Sequence, residues 1–456
     1  MTTAIVWFRR DLRLHDNPAW AEATNHENVV ALFVLDQKLF SRASAPRQAR
    51  MIGDLIALDE QLKELGGSLC FRIGDPVDVV PQLAQEVSAS AVMTNIDVTP
   101  YARQRDDQVR KSLSVPLQSY WGNFFHKPGD VLTAKGTLSQ VFTPFYRSWL
   151  KAPLIDWPEA QSCSVQAVRS DAFPKVGDYP LLHDRTGDQA RAGEVGAWAR
   201  LQKALDRVDE YGETRNTPSI VGTSELSIDL RFGTISPRRV AMVVGASSQG
   251  REELVRQLAW RDWYAHLLFE RPELMTEPMK PNYAKLKWRN DEEGFTAWKN
   301  GATGIPFVDA GMRQLNATGW MHNRVRMITA SFLVKNLLVD WRKGERYFRH
   351  VLLDADIPQN IGNWQWVAGT GPDASPYNRI FNPVLQGQRF DPDGAYVRKW
   401  VPELASLPAE YVHEPWNAPP LELAAQGVVL GDSYPAPIVD LAESRNRALA
   451  AYGAVK

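Results

Sequence analysis

The chain has 456 residues, a formal charge of −1 at pH 7 and 23 % charged residues. That is long enough for two separately cored domains, and it excludes a chain drawn to nucleic acid by its whole surface charge. Cys70 and Cys163 are the only cysteines, too few for a disulfide framework or a cysteine-rich metal centre, so a reducing, cytoplasmic setting is expected and a bound metal is not.

The N-terminal "MTTAIVWFRR" has no charged leader before an apolar run and no small-residue cleavage site, and no apolar stretch reaches spanning length. Neither secretion nor a membrane partner is expected. Short apolar runs follow in chain order, "AIVWF", "VVALFVL", "LCFRI", "AVMTNI" and "PLQSYW". Between them lie helical patterns over Gln48 to Leu65, closed by Gly66 and Gly67, and over Val77 to Val87. Alternating strands and helices predict a doubly wound, mostly parallel α/β domain over residues 1–125. The first strand runs into "RRDLRLHDNP", without the glycines a dinucleotide pyrophosphate needs, so a nicotinamide dehydrogenase is not expected.

Residues 126–190 lose periodicity and gather proline and glycine ("HKPGD", "KAPLIDWPEA", "FPKVGDYP"), which predicts a long connecting loop. From 191 to 456 an all-helical domain is expected. "RAGEVGAWARLQKALDRVDEY", "REELVRQLAWRDWYAHLLFE" and the run from Gly304 to Leu338 carry apolar residues at helical spacing.

Eleven of the sixteen tryptophans lie from Trp198 onward. Indoles most often serve as core. Trp364 and Trp366, however, stand two apart, so on a helix they turn to different sides and cannot share one core pocket. From Arg313 to Arg349 there are eight Lys or Arg and two acids. Basic residues interleaved with Trp320, Trp341 and Tyr347 suit phosphate contact beside base stacking, and equally a solvated helix face. Glu210 to Pro237 is dense in hydroxyls and glycines and opens a helix at Ser236-Pro237, which suits either phosphate binding or a plain capped loop. No Ser/His/Asp, HExxH or paired-carboxylate arrangement appears, and His322 and His350 are the only histidines in the aromatic and basic region. Neutral groups around aromatic platforms imply that a cofactor carries the chemistry.

"VWFRRDLRLHDNPAW", "GTSELSIDLRFGTISPR", "QLAWRDWYAHLL", "TGWMHNRVRMITASFLVKNLLVDWRKGERYF" and "LLDADIPQNIGNWQWVAGTGPDASPYNRIFNP" together resemble the photolyase and cryptochrome family, and look most like its class I cyclobutane pyrimidine dimer photolyases. The resemblance implies an N-terminal α/β domain, a long loop and a helical domain that holds FAD. It also implies a light-driven electron transfer that splits pyrimidine dimers in UV-damaged DNA, performed by a monomer. A blue-light-sensing cryptochrome and (6-4) photoproduct repair are the alternatives.

Under this resemblance Tyr211, Thr223, Ser224, Leu226 and Ser227 match positions that hold FAD phosphates and ribityl chain. Asn323, Arg326, Asp354, Asp356 and Asn360 match those around the isoalloxazine and adenosine, with Arg326 and Asp354 an ion pair and Asn360 beside flavin N5. Trp364, Trp341 and Trp288 match a relay that reduces the flavin from the surface. Trp260, Met327 and Trp366 match lesion-pocket walls, and Arg215, Arg324 and Arg379 match phosphate contacts beside a flipped dimer. Two departures stand out. Gln257 occupies the place of the lesion-contacting glutamate of dimer photolyases, and so can donate to a thymine carbonyl without supplying a proton. Tyr101 and Ala102 replace the Asn-Glu pair of the folate antenna site, which favours a deazaflavin, another flavin or no second chromophore. Against (6-4) repair, Asn323 and Met327 stand where those enzymes carry paired histidines.

Overall fold

The structure is a computed structural model that describes residues 2–174, 191–373 and 378–455; the end of the segment expected as a connecting loop, 175–190, lies outside the described residues. The chain divides into two compact units, one of Met1–Asp209 with Ser224–Pro272, the other of Glu210–Thr223 with Glu273–Lys456. The helical region expected from 191 onward thus contributes to both.

In the first unit, strands β1 (Thr3–Phe8), β2 (Asn28–Leu35), β3 (Leu69–Ile73), β4 (Ala91–Asn95) and β5 (Leu117–Tyr120) form a parallel sheet in the order β3-β2-β1-β4-β5. Successive residues of β1 serve opposite cores. Ala4, Val6 and Phe8 join Leu55, Leu58 and Leu62 of helix α1 (Ala45–Glu64). Ile5 and Trp7 join Val80, Leu83 and Ala84 of α2 (Pro76–Glu86) and Val109 of α3 (Pro100–Ser112). Two-sided burial is why these strands read as continuous apolar runs. The order reverses between β1 and β4, the doubly wound arrangement that the alternating pattern predicts.

The described part of the 126–190 segment is not all loop. Helix α4 (Phe142–Trp149) buries Phe142, Phe145 and Trp149, and a two-residue strand β6 (Ser164–Val165) pairs with β2. Aromatics at i, i+3 and i+7 make one helical face that the surrounding prolines and glycines concealed. Beyond it lies α5 (Gly193–Leu205). The chain re-enters the unit at 224–272, chiefly as the 22-residue α6 (Gln249–Glu270). Asp262 of α6, fully buried, accepts hydrogen bonds from the Phe125 and His126 amides (3.1 and 2.9 Å) and from Trp149 Nε1 (2.9 Å). Asp229, also fully buried, pairs with Arg50 (2.7 Å) and Arg200 (2.6 Å).

The second unit is helical. The run from Gly304 to Leu338 is not continuous: α7 (Pro306–Thr318) ends at Gly319, whose φ of +68° suits glycine, and α8 (Asn323–Ser331) starts afresh. A π-helical turn over Phe332–Asn336 follows, then α9 (Trp341–Val351), α10 (Ile357–Ala368) and α11 (Leu441–Gly453). One core gathers the inner faces of α7 to α10.

Candidate cofactor and DNA site

Helices α8, α9 and α10 position the central residues. Arg326 of α8 reaches Asp354 through two parallel bonds, Nη1 to Oδ1 (3.1 Å) and Nη2 to Oδ2 (2.8 Å), while its Nε donates to the Met321 carbonyl (2.7 Å). Three of the five guanidinium donors are therefore fixed, and a planar fork with that geometry is rigid. Asn360 sits in the first turn of α10, after Asp356 at the N-cap. Its Nδ2 donates to the carbonyl of Glu345 (3.0 Å) and to that residue's Oε1 (2.9 Å). Both amide hydrogens are used, so the amide oxygen is the acceptor left to face another group. Glu345, 3 % exposed, is also bridged to Arg349 (3.0 Å); burial pushes its pKa up, against the opposing pull of Arg349. Sequence reasoning missed Glu345, since a glutamate in "RKGERYF" reads as one more surface charge.

Trp364 and Trp366 part as the helix requires. Trp364 is 2 % exposed, edge-on to Phe348 (5.0 Å) and Trp298 (6.2 Å). Trp366 is half-buried, with Nε1 3.4 Å from Asp373 Oδ2 and the Arg379 guanidinium 5.5 Å from its ring. Trp341 is buried as the first residue of α9, and Trp288 is half-buried edge-on to Tyr452 (6.3 Å). The exposure of the three tryptophans thus rises from Trp364 and Trp341 to Trp288.

The basic stretch 313–349 is not one open patch. Arg313 pairs with Glu403, Arg342 with Asp340, Lys343 with Glu292 and Arg349 with Glu345, and Lys335 is fully buried with its Nζ donating to the Ala368 carbonyl (2.8 Å). Arg324 is different. Its Nη2 donates to Asn216 (2.7 Å), its guanidinium lies 4.3 Å over Phe390, and its buried Nε meets no acceptor among the described residues. Burial lowers its pKa, and Arg215, Arg389 and Arg379 lower it further, so four guanidinium groups converge where sequence reading found three. Met327 is half-buried, its sulfur 3.9 Å from the exposed Asn323 amide. His322 is buried and accepts from the Arg324 amide (3.1 Å), an N-cap and not a surface proton donor.

The hydroxyl-rich loop has its own signature. Thr223 Oγ1 is buried without a hydrogen-bond partner among the described residues, and an orphaned hydroxyl of that kind fits a phosphate or ribityl oxygen. Between Ser224 and the buried Leu226, Glu225 holds a φ of +57°, a strained conformation typical of ligand-holding loops. Ser227 is exposed at the start of the helix Ser227–Phe232, and Tyr211 lies 5.5 Å under the Arg215 guanidinium. The Ser236 hydroxyl caps its own helix by accepting from the Arg238 and Arg239 amides (3.1 and 3.3 Å), which favours the plain reading there. On α6, Gln257 returns its Nε2 to the Glu253 carbonyl (2.9 Å), and Trp260 is half-buried.

Residues 4–163 match the family described as DNA photolyase, and residues 254–454 match the FAD binding domain of DNA photolyase. The deoxyribodipyrimidine photo-lyase of Agrobacterium fabrum is 40 % identical, over 99 % of this chain and 98 % of its own. The chain belongs to the DNA photolyase family. Within that family, a bacterial class III photolyase from Agrobacterium tumefaciens superposes with a TM-score of 0.92 at 39 % identity, covering 100 % of this chain and 98 % of the other. A Synechocystis cryptochrome superposes with a TM-score of 0.90 at 31 % identity, covering 98 % of each. The match to the FAD binding domain spans the positions of Arg326, Asp354, Asn360, Trp288, Trp341 and Trp364. Among the described residues no cluster of His, Cys, Asp or Glu could hold a metal ion, and no helix is long and apolar enough to cross a membrane.

Proposed function

We propose that this photolyase-family chain is a deoxyribodipyrimidine photo-lyase, splitting cyclobutane pyrimidine dimers in UV-damaged DNA under light. The observation that carries the reading is the Asn360 amide, held by both hydrogens on Glu345 one helical turn before the buried Trp364. The Asn360 amide does not titrate, and the Glu345 carboxylate is engaged by Asn360 and Arg349; the arrangement suits a redox cofactor whose protonation is set by a fixed neutral acceptor. Reduced FAD, when bound and excited, supplies the electron that opens the cyclobutane ring and takes it back afterwards.

The chain's own residues have separate duties in this reading. Tyr211, Thr223, Ser224, Leu226 and Ser227 hold the phosphates and ribityl chain, the orphaned Thr223 hydroxyl being the strongest support. Arg326, locked on Asp354, and Asn360 hold the ring system, with Asn323 and Asp356 around the rest. Trp288, Trp341 and Trp364, in that order, carry reducing equivalents from the surface inward. Arg215, Arg324, Arg379 and the newly seen Arg389 contact phosphate, consistent with the convergence of their charges, and Met327, Trp366, Trp260 and Gln257 touch the extruded bases. A second chromophore, if bound, is a deazaflavin or another flavin: at the folate positions Tyr101 is hydrogen-bonded to Asp36, and folate's acidic partner is missing.

The test is illumination of the reduced, FAD-loaded protein with a dimer-containing oligonucleotide while thymine absorbance is followed. Recovery of absorbance is expected. Photoreduction of the flavin without recovery would favour the light-sensor reading, for which Gln257 is the specific pointer.

A further inference from the structure

Phe142, in the segment that reads as a connecting loop, lies flat on Trp260: the ring centroids are 3.6 Å apart and the planes 10° from parallel. Full superposition of two rings is not the arrangement aromatic pairs choose, because their negative faces repel; offset or edge-on contacts are usual. Something must enforce it. Trp263, fully buried, stands edge-on to both rings, at 5.3 Å from Trp260 and 5.7 Å from Phe142. Its Nε1 is anchored on the Ser139 carbonyl (2.8 Å), three residues before Phe142. The guanidinium of Arg256, one turn before Trp260 on α6, lies 5.6 Å from the Phe142 ring and 5.3 Å from that of Tyr146, and a cation over a ring draws off the negative charge that makes stacked faces repel.

Phe142 is 2 % exposed whereas Trp260 keeps part of its surface open. One face of the indole is therefore permanently covered and the ring cannot rotate, so a flat ligand has a single face to stack on. We infer that Phe142 is a positioning residue that holds Trp260 as a one-sided, pre-set stacking platform for a pyrimidine of the lesion. The inference rests on the proposed reading that Trp260 faces the lesion. It adds that α4 is part of the substrate-binding apparatus and more than a connection.

Freezing a loose side chain on binding weakens affinity by roughly 2- to 12-fold, and losing a stacking platform by roughly 5- to 150-fold. In the FAD-loaded protein, Phe142→Leu, with Phe142→Met as a second ring-free substitution, should weaken the dissociation constant for dimer-containing oligonucleotide by roughly 2- to 12-fold. Repair per bound dimer per absorbed photon and the rate of flavin photoreduction should not change, which separates positioning from general loss of structure. Trp260→Ala should weaken binding more, and adding Phe142→Leu to it should weaken binding no further. If Trp260→Ala binds normally, the lesion-facing reading of Trp260 falls and this inference with it. If Trp260→Ala weakens binding but both Phe142 variants bind normally, or their effects persist undiminished in the Trp260→Ala background, the inference alone falls. Loss of photoreduction in both Phe142 variants also overturns it, because Phe142 then serves general packing.

Discussion

Gly344 of α9 offers a sharp test of how Trp364 is held. A Cβ at this position would stand 2.2 Å from Trp364 Cη2, 2.6 Å from its Cζ3 and 2.6 Å from Leu333 Cδ2. Carbon atoms rest at about 3.5–4.0 Å, so Gly344→Ala requires a shift of well over 1 Å in an indole that is 2 % exposed, or separation of α9 from α10. Alanine adds about 1 kcal/mol of helix propensity over glycine. Overpacking a well-filled core costs about 1–3 kcal/mol and sometimes more, and the obstacle here is a rigid ring wedged between helices. The net expected loss is about 1–2 kcal/mol, a fall of roughly 2–8 °C in the melting temperature of a unit of this size. Thermal unfolding followed by circular dichroism measures it, and the displaced indole should slow flavin photoreduction in the same sample. A variant that melts at or above the parent temperature with unchanged photoreduction would refute the claim that α9 and α10 are spaced by Trp364 against a bare backbone.

Three further outcomes are expected. Burial pushes the Lys335 ammonium down to about 7, so between pH 7 and the ordinary lysine value the unfolded chain holds a proton that the folded one lacks, and stability rises with pH across that window; Lys335→Met should flatten this rise in denaturant midpoints taken at pH 7, 8 and 9, and an equal rise in the variant would contradict it. Trp364→Phe should block photoreduction of oxidised flavin and spare repair by chemically reduced enzyme, whereas Trp366→Ala should spare photoreduction and weaken lesion binding by about 1–3 kcal/mol; equal damage to both activities by either variant would undo the division of labour. Arg379→Ala should weaken DNA binding and make its salt dependence shallower by about one phosphate contact, which a titration at several salt concentrations reads directly.

The parallel sheet was legible because its strands are buried on both faces: all five apolar runs became strands with ends shifted by at most two residues. The separation of Trp364 from Trp366 was legible because it follows from helical pitch alone. What escaped the sequence depended on partners far along the chain. Helical spacing from Gly304 to Leu338 did not reveal the break at Gly319, whose left-handed conformation divides α7 from α8. Glu345 and Asn360 meet because two helices fold back on each other, and no local pattern marks the pair. The basic stretch was only half legible for the same reason: Glu292, Asp354 and Glu403, which pair with three of its eight cations, lie outside its bounds. Phe142 was hidden by the prolines and glycines around α4.

The return of residues 224–272 into the first unit has a consequence for how the protein is born. Asp229, which neutralises Arg50 and Arg200, and Asp262, which ties down Phe125, His126 and Trp149, both belong to that returning stretch. A nascent chain that has delivered all five main strands by residue 120 still lacks these carboxylates. At 5–20 residues per second, the ribosome needs roughly 7–30 s more to deliver them. During that interval the sheet and the helices α1 to α3 on its two faces can form, while the aromatic face of α4, which packs on α6, stays exposed. The N-terminal unit therefore closes only after α6 emerges, and a fragment cut near residue 125 would be an unfinished intermediate, prone to chaperone capture, in place of a separable domain.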